Sequence, residues 1–378
     1  MVAAGREVVL VCTERREDSR LGIPAGVQLW ELGGGGRPLS FSVPRLAAWM
    51  RSARPDVMFA HLNGPARAAV LARAIGRADT CLVVVEHTHF STFGWSQGRL
   101  RDGMTALLYP RADRVAGVSP AVLDDLVERR LAPRRATALL PAAWPAADDL
   151  ARLADEVPDH EWYRGADAPR IVCSVANVLP RKGQDSLVDA LPEIRRAAGD
   201  VRLVLVGRFD DHAFRAALEE RATAHGVREH VWFAGYHENA LPFVAHADVF
   251  ALASHSEGCP TVLMEAMGCG VPIVAADSPG GVAYVLDHGR CGTLVPPRDA
   301  PAMARAIARV LRDDALRAGL IECGRARAAT FTPSRIAGAY LALADECVQQ
   351  RGQRRNGNRT AVARHGLNGG PGPAGSVS

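Results

Sequence analysis

The chain has 378 residues, 48% apolar and 23% charged, enough to build a full hydrophobic core and long enough for two domains. Its formal net charge is +4, but residues 351–378 carry five arginines and no acid, so the body upstream is close to neutral. That balance excludes nucleic acid as the main partner. The lack of any apolar run near the roughly 18 residues of a spanning helix excludes an integral membrane protein.

The N-terminal stretch MVAAGREVVLVCTERR lacks the charge, apolar and cleavage-site order of a signal peptide. Strand-like β-branched runs occur at 7–12, 56–60, 81–87 and 114–119. Helical patterns occupy 65–78 and 119–131, the second opening on Ser119 as cap with Pro120 at the first helical position. Glycines 33–36 read as a flexible surface loop. The Pro- and Asp-rich segment 141–162 interrupts the alternation and reads as an inter-domain linker, dividing an N-terminal domain (1–158) from a C-terminal one (159–332). A second series of strands follows at 170–177, 201–207, 230–235, 248–254, 272–277 and 292–296. Their nearly unbroken apolar character predicts burial on both faces. A helix over 333–350 closes the fold, and the Gly/Pro/Asn-rich remainder, 351–378, reads as a disordered basic tail. The eight cysteines form no C-x-x-C and read as small buried thiols in a reducing, cytoplasmic setting. The fold class is therefore α/β: two doubly wound, Rossmann-like domains in tandem, facing a central cleft.

In such folds ligands bind beyond the carboxyl ends of the strands. Four turns of the second half meet that condition: ANVLPRKG, VGRFD, FAGYHEN and SHSEGCPTVLMEAMGCGVP. The first holds Asn177, Arg181 and Lys182, the only lysine beside 44 arginines. The second holds Gly207, where a backbone or ligand can approach closely. In the last, Gly258, Cys259 and Pro260 make a tight turn before a helix starting at Thr261. The amides of Thr261 and Val262 are then placed to attract an anion, phosphate above all. Glu257 stands at the mouth, suited to polyol hydroxyls, and Glu265 within the first helical turns, suited to a vicinal diol such as ribose.

The segment SEGCPTVLMEAMGCGVPIVAAD resembles the E-x7-E region of retaining glycosyltransferase family 4, with Glu257 and Glu265 as its acids. SVANVLPRKGQDSLVDAL resembles the phosphate-contacting strand–turn–helix of that family, and HVWFAGY, HADVFALAS and GRCGTLVPPRD follow in its order. The likeness covers about residues 5–345. It implies the two-domain GT-B architecture, a nucleoside-diphosphate sugar bound mainly by the C-terminal domain, and neither metal nor other cofactor. It places Lys182 on the donor diphosphate, Glu265 on the ribose, Glu257 near the transferred sugar, and Gly235 with Tyr236 at the nucleobase. His87, directly after the strand CLVVVE, matches the reaction-centre histidine; His89 is the rival, and His61 is read as structural.

The chain departs from the family at two points. Many members carry Gly-Arg where this chain has Ala176-Asn177, so a second cation on the diphosphate is absent or comes from Arg181. The family opens with a strand and glycine-rich turn, which the N-terminal domain is expected to lack. The expected activity is sugar transfer, with retention, from a nucleoside diphosphate to a glycan, lipid-linked glycan or small-molecule hydroxyl, as in polysaccharide biosynthesis. The competing readings are a nucleotide-sugar epimerase and a nucleotide-sugar-binding pseudoenzyme. Residues 89–114 mix aromatics with Arg99, Arg101, Arg111 and Arg114, a composition that fits an anionic lipid head group and peripheral contact with the inner membrane face, or a solvated helix.

Overall fold

Twelve strands and their connecting helices are seen in a computed structural model that describes residues 1–12, 23–33, 39–92, 99–144, 147–165 and 167–366. For residues 39–40, 99–101, 147–149 and 354–366 it describes the backbone alone. Gly34, Gly35, Gly36 and the last twelve residues of the expected tail, 367–378, lie outside the described residues.

The strands are β1 (Val8–Cys12), β2 (Val27–Glu31), β3 (Val57–His61), β4 (Cys81–Glu86), β5 (Arg114–Gly117) and β6 (Thr137–Leu139). Then come β7 (Arg170–Val175), β8 (Val201–Val206), β9 (Val231–Gly235), β10 (Val249–Leu252), β11 (Ile273–Ala276) and β12 (Thr293–Val295). β1 and β2 pair in parallel, and β3-β4-β5-β6 form a four-stranded sheet in that order. The six remaining strands form one parallel sheet in the order β12-β11-β10-β7-β8-β9.

That order is a doubly wound Rossmann sheet. From β7 the chain winds outward one way through β8 and β9, then returns to β10 and winds the other way. Adjacent β7 and β10 therefore send their following loops in opposite directions, which opens a crevice at their carboxyl ends. Both faces of this sheet are covered. Val172, Leu203, Leu205, Val249, Ala251 and Val274 pack with the helices Gln184–Ala198 and Ala300–Arg312. The alternate residues Phe250, Leu252, Ile273 and Ala275 pack with Leu263, Met264 and Met267 of the helix Thr261–Cys269. Side chains alternate across a strand while both sides are dry, and this produces the continuous apolar runs in the sequence.

The described residues gather into two compact units, one spanning Met1–Val84, Leu107–Val115 and Gly338–Ser378, the other Val85–Ala106 and Ala116–Ala337. In the first, Phe59 packs against Tyr340 with tilted rings, their centroids 5.0 Å apart, and Arg6 pairs with Asp345 at 2.7 Å. Also in this unit, Arg351 donates to the Asp56 carbonyl (2.6 Å) and pairs with Asp79 (3.0 Å). The closing helix runs from Pro333 to Gly366, past the expected end at 350. Arg351, the first residue of the expected tail, is thus an anchored part of the helix. In the second unit, the expected linker carries a helix, Ala147–Ala154, and buries Trp144. The Trp144 indole donates to the Ala328 carbonyl at 2.9 Å.

The cysteine pattern needs one correction. Cys291 and Cys323, expected as separate thiols, are joined in a disulfide with Cα atoms 5.0 Å apart. The bend after Asp287–Gly289 lays Cys291 beside the helix Asp314–Ala328, a pairing across 32 residues that no local spacing announces. Closing a loop of that size removes unfolded-state entropy worth about 3–4 kcal/mol. In a urea titration without reductant, Cys291→Ser is expected to lose about that much stability, and the difference from wild type is expected to vanish in dithiothreitol.

Candidate functional site

The turn after β7 begins with Ala176, whose amide still donates to the Val206 carbonyl. Asn177 is exposed, and its carbonyl accepts from the Gln184 side chain at 3.1 Å. The chain then makes a short 3₁₀ turn, Pro180–Lys182, ended by Gly183 at φ 67°. Gly183 is required twice over. Its backbone is left-handed, and a Cβ there would sit 2.1 Å from the Ala253 carbonyl oxygen at the end of β10. The Arg181 carbonyl accepts from the His255 amide at 2.8 Å. The two loops that leave β7 and β10 are thus laced together through backbone.

The turn after β10 is held from its other side by the loop following β11. The Glu257 amide donates to the Pro279 carbonyl (3.2 Å), and the Glu257 carbonyl accepts from the Gly281 amide (2.8 Å). A Cβ at Gly280, φ 113°, would meet that same carbonyl at 1.7 Å. The sequence reading passed over this clamp, SPGG (278–281); its paired glycines between β11 and the following helix were the available signal.

Between these loops the Lys182 ammonium and the Glu257 carboxylate form an ion pair, their side chains only 14% and 13% exposed. Removing either partner would strand a poorly hydrated charge. Thr261 and Val262 open the helix Thr261–Cys269, with Pro260 as its cap. Glu265 is half-buried one turn further in, and burial pushes its carboxyl above the ordinary value. The half-buried Cys259 thiol is pushed up to about 11 by burial, against a hydrogen bond to the Ala142 backbone, so it is an unreactive spacer at neutral pH.

Gly207, φ 150°, follows β8; its amide donates to the Gly235 carbonyl at 2.8 Å, and a Cβ would sit 2.0 Å from the Ala176 carbonyl oxygen. Gly235 ends β9 in open space at φ 83°. Tyr236 follows it, 57% exposed, with the Arg208 guanidinium 4.7 Å over its ring. Because β9 lies two strands from β7, Tyr236 stands along the row of strand ends from Lys182 rather than in contact with it.

His87 follows β4, and its amide donates to Glu86 at 3.0 Å. Its carbonyl oxygen lies against Gly258, where a Cβ would come within 1.8 Å of it. His89 is on the same loop, with Nδ1 3.1 Å from the Thr92 hydroxyl and 3.9 Å from Asp125 Oδ2. His61 stacks on Tyr340 at 6.0 Å, with its pKa lowered by burial. Within the second unit the structure therefore brings the His87–Thr92 loop and the Lys182, Gly183, Glu257 and Gly258 turns to one place. Residues 93–98 of the aromatic and arginine segment lie outside the described residues.

Comparisons with known proteins bear on family and fold. A family model described as Glycosyltransferase Family 4 matches residues 1–141, and one described as Glycosyl transferases group 1 matches residues 160–327. The chain is 35% identical over 297 residues, 74% of each chain, to a GDP-mannose-dependent alpha-(1-6)-phosphatidylinositol monomannoside mannosyltransferase of Mycolicibacterium smegmatis. It is 26% identical over 286 residues, 75% of this chain and 74% of the other, to a Campylobacter jejuni N-acetylgalactosamine-N,N'-diacetylbacillosaminyl-diphospho-undecaprenol 4-alpha-N-acetylgalactosaminyltransferase. Among solved structures, Anabaena HepE in complex with UDP matches with a TM-score of 0.68 at 22% identity, over 85% of each chain.

The raised pKa of Glu265 carries a signed consequence. A carboxyl whose folded pKa exceeds its unfolded value holds its proton better when folded. Its ionisation therefore costs no stability below the unfolded pKa, and the full cost applies once pH exceeds the folded one. Glu265→Gln removes a charge the apo fold disfavours. At pH 7 the variant is expected to melt a few degrees above wild type (about 2–4 °C per kcal/mol) and to bind nucleoside diphosphates about tenfold more weakly by calorimetry. An unchanged affinity would remove Glu265 from the ligand site.

Proposed function

The chain belongs to glycosyltransferase family 4 and is a glycosyltransferase of GT-B fold using a nucleotide-sugar donor; on that premise we propose that it transfers a hexosyl group, with retention and without a metal, to a hydroxyl of a lipid-linked glycan. The observation that carries the assignment of roles is the Lys182–Glu257 ion pair at the crevice between β7 and β10.

In this reading the donor diphosphate enters the crevice and takes Lys182 from Glu257. The released carboxylate then accepts hydrogen bonds from hydroxyls of the transferred sugar. Amides of Thr261 and Val262 meet the phosphate oxygens at the helix start, Glu265 accepts from the ribose hydroxyls, and Gly235 with Tyr236 borders the base. The anomeric carbon–oxygen bond to phosphate breaks while the acceptor oxygen bonds to the same face. The acceptor's proton passes to the departing phosphate oxygen. Negative charge grows on the diphosphate, so the ammonium and the amides act where transition-state charge develops. Asn177 and Arg181 border the same turn, Asn177 offering an uncharged donor and Arg181 a second cation.

The Mycolicibacterium and Campylobacter relatives act, by their names, on a phosphatidylinositol mannoside and a diphospho-undecaprenol glycan. These names support a lipid-linked acceptor here, met at a membrane surface, and GDP-mannose as the first donor to try. No helix among the described residues is long and apolar enough to cross a membrane.

Mass spectrometry of donor-by-acceptor reactions, with NMR of the product's anomeric proton, tests the reading; conversion of donor sugar without acceptor would support an epimerase instead. Lys182→Ala is expected to lower kcat/KM by about 10²–10³-fold, the range for loss of one transition-state charge contact. Lys182→Arg is expected to recover little of that loss, and EDTA is expected to leave the rate unchanged. A near-normal Lys182→Ala enzyme would sink the assignment.

A further inference from the structure

The loop from His87 to Thr92 and the turn at Ser256–Glu257 are 164 residues apart in sequence at their point of contact, the hydroxyls of Thr92 and Ser256, 2.8 Å from each other. The donors can be ordered along this contact. Ser256 Oγ lies 3.4 Å from the Pro279 carbonyl, and donating there leaves it to accept from Thr92, the order proposed below. Thr92 Oγ1 has three neighbours that could take its hydrogen, Ser256 Oγ at 2.8 Å, His89 Nδ1 at 3.1 Å and the His89 carbonyl at 3.4 Å, and Ser256 is the shortest of them. With its hydrogen committed, Thr92 Oγ1 accepts from Nδ1 of His89 at 3.1 Å. The buried Asp125 carboxylate, 3.9 Å from that nitrogen, favours a proton there. Asp125 is itself fixed, accepting from the amide (3.3 Å) and the hydroxyl of Ser91.

We propose that His89, Thr92 and Ser256 form a one-way hydrogen-bond chain that positions the His87 loop on the turn carrying Glu257. The chain runs His89 Nδ1–H to Thr92, Thr92 to Ser256, and Ser256 to the Pro279 carbonyl. It therefore reaches the same SPGG segment that clamps the Glu257 backbone. It sets the His89 tautomer, with the hydrogen on Nδ1 and Nε2 bare. A second contact, the His87 carbonyl seated on Gly258, fixes the same loop on the same turn from the other side of Glu257. Two points of attachment bracket the carboxylate, so the reaction-centre histidine and the sugar-binding acid move as one piece. Thr92 and Ser256 are positioning residues: they act through the segments they join. The proposal deepens the function given above and rests on it for its kinetic consequence.

Two measurements decide it. In protein labelled with ¹⁵N-histidine, the signal lost in His89→Gln is expected to report Nδ1–H in wild type and to change tautomer in Thr92→Val. An Nε2–H signal in wild type, or one untouched by Thr92→Val, overturns the chain whatever the enzyme does. In kinetics, Thr92→Val and Ser256→Ala are each expected to lower kcat about tenfold with donor KM within about twofold. The double variant is expected to be no slower than either single one, and Thr92→Ser to restore most of the rate. Losses that multiply in the double variant, or an unchanged kcat in an active enzyme, also overturn it. A wild type that shows the tautomer and its loss in Thr92→Val, yet transfers no sugar, refutes the proposed function and leaves the chain standing.

Discussion

Two opposite charges held in a crevice with little water constrain everything around them. Lys182 and Glu257 lie on loops leaving β7 and β10, neighbours in the sheet that the chain enters 79 residues apart by their first residues, Arg170 and Val249. Strand pairing alone does not fix side chains on two such loops to within an ion-pair distance. The fixing is done by backbone contacts that exclude a Cβ: Gly183 against the Ala253 carbonyl, Gly280 against that of Glu257. The glycines, the SPGG clamp and the short 3₁₀ turn make sense together as the frame this pair needs. A half-buried ion pair does little for net stability, because desolvation offsets most of the attraction. In the proposed function the pair serves binding rather than folding.

That use follows from what the pair does before a ligand arrives. An unpaired ammonium in such a place would be partly dehydrated and mobile; paired, it is held at a fixed point by a group the ligand can displace. In the proposed reading a diphosphate, with more charge and more acceptor oxygens than one carboxylate, would displace Glu257 from the lysine. On the same proposal, displacement would turn Glu257 from a counter-ion into a hydrogen-bond acceptor at the neighbouring position. One contact thus holds two groups in readiness, consistent with electrostatic preorganisation.

Legibility in the sequence followed the range of the interactions involved. The six strands of the second sheet were readable to within one or two residues, because burial on both faces writes an unbroken apolar run: 170–177 against Arg170–Val175, and 272–277 against Ile273–Ala276. The position of the four turns after β7, β8, β9 and β10 was readable because it follows from the strand runs themselves. Cys291–Cys323, Trp144 on Ala328 and Thr92 on Ser256 were not readable, since each joins segments related only through the completed fold. The three-residue strand β6, Thr137–Leu139, was also missed, being too short to show a period. The end of the closing helix was misplaced for a different reason. Composition past 350 predicts weak helix formation, but Arg351 is tied to backbone and carboxylate partners that a local pattern does not contain.

The one lysine of the chain can now be considered against its partner. Forty-four of the 45 Lys and Arg residues are arginine, and the single lysine stands at position 182. A guanidinium would pair with Glu257 through two parallel hydrogen bonds, a fork-to-fork contact stronger than a single ammonium contact. Such a lock would oppose the exchange in which diphosphate displaces the carboxylate. An ammonium is a compact point charge with three rotatable donors, and it passes from one anionic acceptor to another with little change of direction. Lysine here therefore reconciles two demands that arginine sets against each other: a partner secure enough to keep the charge from being stranded, and weak enough to yield it.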